Sequence, residues 1–151
     1  MTYKVRKALP EDSAAIYSVE KAVTTHPWSE EQIREEIEFP QAYTCVCEAD
    51  GLIVGFATMQ TAAEFAGINE LGVLSEYRRR GIGRMIMEDL LRECASRGCD
   101  HVSLEVRRSN APAKNLYRSF GFSEAGVRKD FYRDPQEDAL VLVRNIKEET
   151  G

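Results

Sequence analysis

The chain has 151 residues, 43% of them hydrophobic and 30% charged, with a net charge of −5. That length suits one domain with a single sizeable core, and nothing in it reads as a linker, a repeat or a low-complexity tract, so residues 1–151 are taken as one domain. The acidic balance argues against direct nucleic-acid binding, which calls for an excess of Lys and Arg, and favours a cationic substrate. No apolar run approaches the roughly 20 residues of a membrane span, so no membrane partner is expected. The opening MTYKVRKALPEDS lacks the apolar stretch of a secretory signal, which makes a cytoplasmic protein the expectation. Cys45, Cys47, Cys94 and Cys99 lack the spacing of a metal knuckle, so they are read as reduced, buried thiols and no metal is expected.

In chain order, the alternation in Tyr3 to Ala8 predicts a strand, and Pro10, Glu11 and Asp12 suit a helix start, with Ile16, Val19 and Val23 on one helical face. PWSEEQIREEI is a second helix entry: Ser29 and Gln32 form a capping box, and Trp28 and Ile33 sit at the positions of a hydrophobic staple. Phe39 and Pro40 end it. AYTCVCEADGLIVGFATMQTA is a hairpin with Asp50-Gly51 as its two-residue turn. A strand from about Gly67 to Leu74 follows. Ile86, Leu90 and Cys94, with Met87, Leu91 and Ala95, then repeat at four-residue spacing and predict an amphipathic helix that stops at Gly98. His101 to Val106 is the next strand, and a short helix capped at Ser109 or Asn110 stops at Gly121. SEAGVR and DALVLVRNI close the chain as strands. The fold class is α/β, a mixed sheet flanked by helices, in the order β-α-α-β-β-β-α-β-α-β-β.

The stretch LSEYRRRGIGRMIMEDLLREC sets several cations against two glycines where a strand turns into a helix. A helix start gathers unpaired backbone N–H groups and partial positive charge, so it holds anions. Gly81 and Gly83 would let backbone approach a phosphate, with Arg78, Arg79, Arg80 and Arg84 at the rim. Four cations at a helix start oppose the dipole preference, a conflict that a bound anion resolves. The spacing fits neither a Walker loop nor the dinucleotide fingerprint.

YRRRGIGRMIMEDLL resembles the pyrophosphate-binding signature Arg/Gln-x-x-Gly-x-Gly/Ala of the GCN5-related N-acetyltransferase (GNAT) family, and the order of elements resembles that fold over nearly the whole chain. HPWSEEQI and LEVRRSNAPAKNLYRSFGF are similar to the RimI-type branch, which acetylates the N-terminal alanine of a ribosomal protein, S18. The resemblance implies acetyl-CoA as co-substrate, with the backbone of Arg79, Arg80, Gly81, Ile82, Gly83 and Arg84 on its pyrophosphate. It implies that Leu71, Gly72 and Val73 offer strand backbone to the acetyl group and pantetheine arm, and that Asn110 binds cofactor. It further implies Glu105 as general base and Tyr117 as general acid. A monomer is favoured.

The chemistry needs such a pair. An N-terminal amine has a reference pKa of about 7.7–8.0 and is mostly an ammonium without a lone pair at neutral pH, so a base must take a proton and an acid helps the thiolate leave. By spacing alone, Glu105 is equally the solvated member of an alternating strand, and Tyr117 a packing residue between Leu116 and Phe120. His26 reads as a loop or capping residue and His101 as surface. Glu70 departs from the branch pattern, where a small or amide residue is usual; it is either a second carboxylate facing the substrate or half of a buried pair. Glu137 and Asp138 are either attractors of a cationic N-terminus or parts of a solvated turn. The rival functions are acetyl transfer to a small amine, polyamine or lysine side chain, and a noncatalytic acyl-CoA-binding module.

Overall fold

The computed structural model describes residues 1–146; the single-domain reading also covers 147–151, which lie outside the described residues. In chain order the elements are β1 (Tyr3–Lys7), α1 (Ser13–Val23), α2 (Glu30–Glu38), β2 (Ala42–Ala49), β3 (Leu52–Ala62), β4 (Phe65–Val73), α3 (Ile82–Ser96), β5 (His101–Arg107), α4 (Ala111–Ser119), β6 (Ser123–Tyr132) and β7 (Glu137–Asn145). The capping box is present: Ser29 Oγ accepts from the Gln32 N–H at 3.1 Å, and Gln32 Oε1 accepts from the Ser29 N–H at 2.8 Å. Asn110 caps α4 by accepting from the Ala113 N–H. Gly98 and Gly121, at φ +77° and +87°, end α3 and α4 in the left-handed region where a side chain would be strained.

The seven strands form one sheet in the order β1-β2-β3-β4-β5-β7-β6, antiparallel except for β4 and β5. The parallel pair follows from the intervening α3, which returns the chain to its starting end. Alternation divides the sheet into two faces. Cys45, Cys47, Ala57, Met59, Ile68, Leu104 and Val106 pack with Ile82, Ile86, Met87 and Leu90 of α3 and Tyr117 of α4. Val46 and Phe56 pack on the other face with Ile16, Val19 and Ile33 of α1 and α2. All four cysteines are buried free thiols, and burial pushes Cys94 up to about 12, which keeps it protonated and a poor nucleophile.

Two local features shape the sheet near its centre. Thr58 pairs with Glu70 but Met59 with Ile68, so Asn69 is a bulge in β4. Pairing between β4 and β5 ends at Ile68 and Leu104, although β4 runs on to Val73 and β5 to Arg107. The two strands therefore part over their last residues.

Candidate active site

The turn before α3 brings free backbone N–H groups and cations together. Gly81 caps the helix at φ +81° with no side-chain cap, and a Cβ there would meet nothing within 4 Å. The first intrahelical bond runs from the Met85 N–H to the Gly81 carbonyl, so the N–H groups of Ile82, Gly83 and Arg84 precede the ladder. Arg79 also lies in the left-handed region, at φ +63°. Gly83 also serves packing: a Cβ would come within 3.1 Å of Leu116, so its bareness lets α4 approach α3. Arg80 donates to the Tyr3 hydroxyl at 3.1 Å and Arg84 to Ser119 Oγ at 2.9 Å with its guanidinium over Phe120. These contacts hold two cations beside the turn.

Where β4 and β5 part, the edge of β4 from Asn69 to Val73 has no strand of the described residues against it on the β5 side, which places Leu71, Gly72 and Val73 along the gap, with the Val73 carbonyl accepting from Arg78 Nε at 3.2 Å. Gly72 serves packing as well, since a Cβ would stand 2.9 Å from Val23 of α1. Asn110 caps α4 through its Oδ1, which fixes the helix beside the opening.

Glu105 and Tyr117 lie on either side of this opening. Leu104 and Val106 enter the core on the α3 face, so Glu105 projects to the opposite face, where its carboxylate meets Arg128 of β6 at 3.1 Å. Tyr117 lies on the α3 and α4 face, 8% exposed, with its ring edge-on to Phe122. Burial pushes its hydroxyl up to about 12, with the nearby Tyr132 adding to the effect, so it stays protonated at neutral pH. A carboxylate on one face and a protonated hydroxyl on the other thus stand on opposite sides of the gap between the strands.

The face that Glu105 shares carries residues that sequence spacing missed. Tyr132 of β6 is pushed up to about 12, first by burial and then by Glu105. Arg107 lies over its ring at 4.5 Å and donates to the carbonyls of Pro135 and Arg133, tying the β6–β7 turn to β5. Glu137 accepts from the Ser109 N–H at 2.6 Å and pairs with Arg107, contacts that hold its carboxyl below the usual range. Asp138 accepts from the Asp130 N–H. Both acids thus shape the turn. His26 Nε2 stands 2.7 Å from Asp134, so the α1–α2 loop touches the β6–β7 turn.

Glu70 shares a face with Gly72, and that face looks at α1, where it meets Glu20. Burial, then the facing carboxyl, pushes Glu70 up to about 9; burial also raises Glu20. Glu70 is therefore one half of a carboxyl pair with Glu20. A signal for Glu20 was present: it falls within the stripe formed by Ile16, Val19 and Val23, where an apolar residue belongs. Among the described residues no group of three or more His, Cys, Asp or Glu is placed to hold a metal, and no helix is long and apolar enough to cross a membrane. A recess of about 570 Å³, lined by Phe65, His101, Ser103, Gly121 and Asn145, contains none of these residues.

The pattern of the Acetyltransferase (GNAT) family matches residues 13–122. A Bacillus subtilis protein provisionally named a ribosomal protein bS18-alanine N-acetyltransferase is 34% identical over 145 residues, 95% of this chain and 96% of its own length. The ribosomal protein bS18-alanine N-acetyltransferase of Escherichia coli K12 is 34% identical over 137 residues, 89% of this chain and 92% of its own. The crystal structure of the Escherichia coli ribosomal-protein-S18-alanine N-acetyltransferase superposes with a TM-score of 0.88 at 31% identity, covering 96% of this chain and 94% of that one.

Proposed function

Because the chain belongs to the Acetyltransferase (GNAT) family, we propose that it transfers the acetyl group of acetyl-CoA to the N-terminal α-amino group of ribosomal protein bS18, at an alanine. The relatives that carry this activity in their names match nearly the full chain, which supports the acceptor. The observation that carries the mechanism is the parting of β4 and β5, with Glu105 on one face and Tyr117 on the other.

Acetyl-CoA supplies a thioester carbonyl as electrophile, its pyrophosphate anchored by the backbone of Arg79 to Arg84. Glu105 takes a proton from the ammonium, directly or through a water, and frees the lone pair for attack. Tyr117 gives a proton to the departing sulfur. Direct attack suffices once both partners are oriented, and the protonated buried thiols offer no rival nucleophile. The four buried thiols also support a cytoplasmic setting, where thiols are kept reduced.

The test is thiol release from acetyl-CoA with a short bS18 peptide beginning in a free alanine, beside the same peptide with a blocked N-terminus and a panel of simple amines and lysine peptides. Release with the free N-terminus alone is the expected result. Release with the amines or lysine peptides alone would move the acceptor elsewhere, and binding of acetyl-CoA without any release would leave a noncatalytic module.

A further inference from the structure

One buried group has no part in the reaction as drawn so far. Glu20 is 1% exposed, and both of its carboxyl oxygens are cut off from solvent. A carboxylate left so is strongly disfavoured unless it shares a proton or meets a cation. What it faces is the Glu70 carboxyl, with the Trp28 backbone N–H nearby. A single proton between the two acids makes one the donor and the other the acceptor, and the pair keeps one negative charge.

Glu70 is the half-buried member, so it is the end of the pair that an incoming molecule can reach. It follows the Asn69 bulge on the part of β4 that has left β5. Carrying the Ile68–Leu104 register past the bulge sets Glu70 level with Glu105, and both project to the α1 side of the sheet. Two carboxyl groups thus flank the opening from its two strands, on the face opposite Tyr117.

We propose that Glu70 is a second acceptor-binding residue, contacting the N-terminal ammonium from β4 while Glu105 contacts it from β5, with Glu20 positioning Glu70 from behind. The assignment rests on the acetyl-transfer reading above. An ammonium has three N–H donors; with one held by Glu70 and one passing to Glu105, the lone pair that forms is aimed at the gap between the strands. Glu70 takes no proton in the cycle. The two protons that the nitrogen loses pass to Glu105 and on to water, while the sulfur receives one from Tyr117, which regains it from water. Ammonium and thioester thereby become amide, thiol and one released proton.

The experiment is steady-state thiol release with the free-alanine bS18 peptide, varying each substrate over about pH 6 to 9, for the wild type, Glu70→Gln and Glu20→Gln. Losing the contact to a pair that carries one negative charge should raise the peptide KM of Glu70→Gln about tenfold, with kcat changed far less and the acetyl-CoA KM unmoved. Glu20→Gln should leave the peptide KM low and extend its acid limb to lower pH, because Glu70 then titrates without a like-charged neighbour. A pair that only packs α1 on the sheet would give both variants the same effect. A wild-type peptide KM in Glu70→Gln at every pH overturns the Glu70 assignment and leaves acetyl transfer standing. A wild type that turns over no free N-terminal peptide overturns the function, and this assignment with it.

Discussion

The two sides of the β4–β5 opening are built in opposite ways. On the donor side, cations and bare backbone N–H groups cluster between Arg78 and Arg84, a stretch that is largely exposed and contiguous in the chain. On the acceptor side, Glu20, Glu70 and Glu105 come from α1, β4 and β5 and are shielded to different degrees. The signs match the two molecules each side would hold, a polyanion and an ammonium. The donor side works through backbone conformation, which neighbouring residues dictate. The acceptor side works through side chains that only the sheet topology brings together.

The contrast breaks most sharply at Glu105. Glu105→Gln keeps the shape and removes the base, so kcat should fall about 10²-fold or more, the usual worth of a positioned base, while acetyl-CoA affinity measured by calorimetry stays near wild type. A variant with wild-type turnover across pH would show that the acceptor face contributes binding alone. Tyr117→Phe tests the donor-side proton in the same way. Its loss should cost about tenfold or more in kcat, less than the base, because a thiolate is a tolerable leaving group without a proton. The Phe122 packing survives the change, so the melting temperature should hold and an unchanged kcat would remove Tyr117 from the reaction.

The backbone character of the donor side is sharpened by comparing its two glycines. Gly81→Trp places a bulky side chain in space that is open in the free protein and should weaken acetyl-CoA binding about tenfold or more. The left-handed φ adds a fold penalty of about 1–2 kcal/mol for any substituted residue, so Gly81→Asn, which tolerates that region, is the control. Gly83→Ala should instead disturb the α3–α4 contact through Leu116 and lower stability, with a smaller effect on cofactor affinity. Equal loss of affinity in both would mean that the turn acts through its shape as a whole.

The same division governs what was legible in the sequence. Period and punctuation located every strand and helix, because Asp50-Gly51, the Ser29–Gln32 box and the glycines after α3 and α4 act locally. Boundaries moved where pairing decides them: β6 runs on to Tyr132 because β7 is beside it, past the Arg128 that its own composition suggested. The tight turn at Gly81 was legible, whereas the packing of Gly83 depends on a helix 33 residues away at Leu116. Parity put Glu70 with Gly72, but which face they share is settled by where α1 packs. Tyr132 and Arg107 gave no signal, since their contact arises from the return of β6 alongside β5 through β7. Glu20 did leave one, an acid in an apolar stripe, which marks either a buried partner or a site.

The smallest effect concerns stability, and it separates the acceptor-side pair from ordinary surface acids. Glu70 is held at about 9 in the folded protein against an ordinary 4.5, so the fold binds its proton more tightly than the unfolded chain does. Its contribution to stability is therefore fully present below about 4.5 and is lost as pH rises toward 9. Asp12 and Glu137 are shifted the other way, by Arg6 and by Ser109 respectively, and their contributions fade only as pH falls through the acid range. Between about pH 5 and 9 the Glu70 slope should thus be exposed, with the melting temperature of the wild type declining and that of Glu70→Gln staying flatter. The two should nearly coincide at the acid end, and the variant should melt higher at the alkaline end by a few degrees, since about 1 kcal/mol moves a domain of this size by about 2–4 °C. Parallel curves would mean that Glu20 and Glu70 hold no shared proton, and the acceptor face would then carry two independent charges against the incoming ammonium.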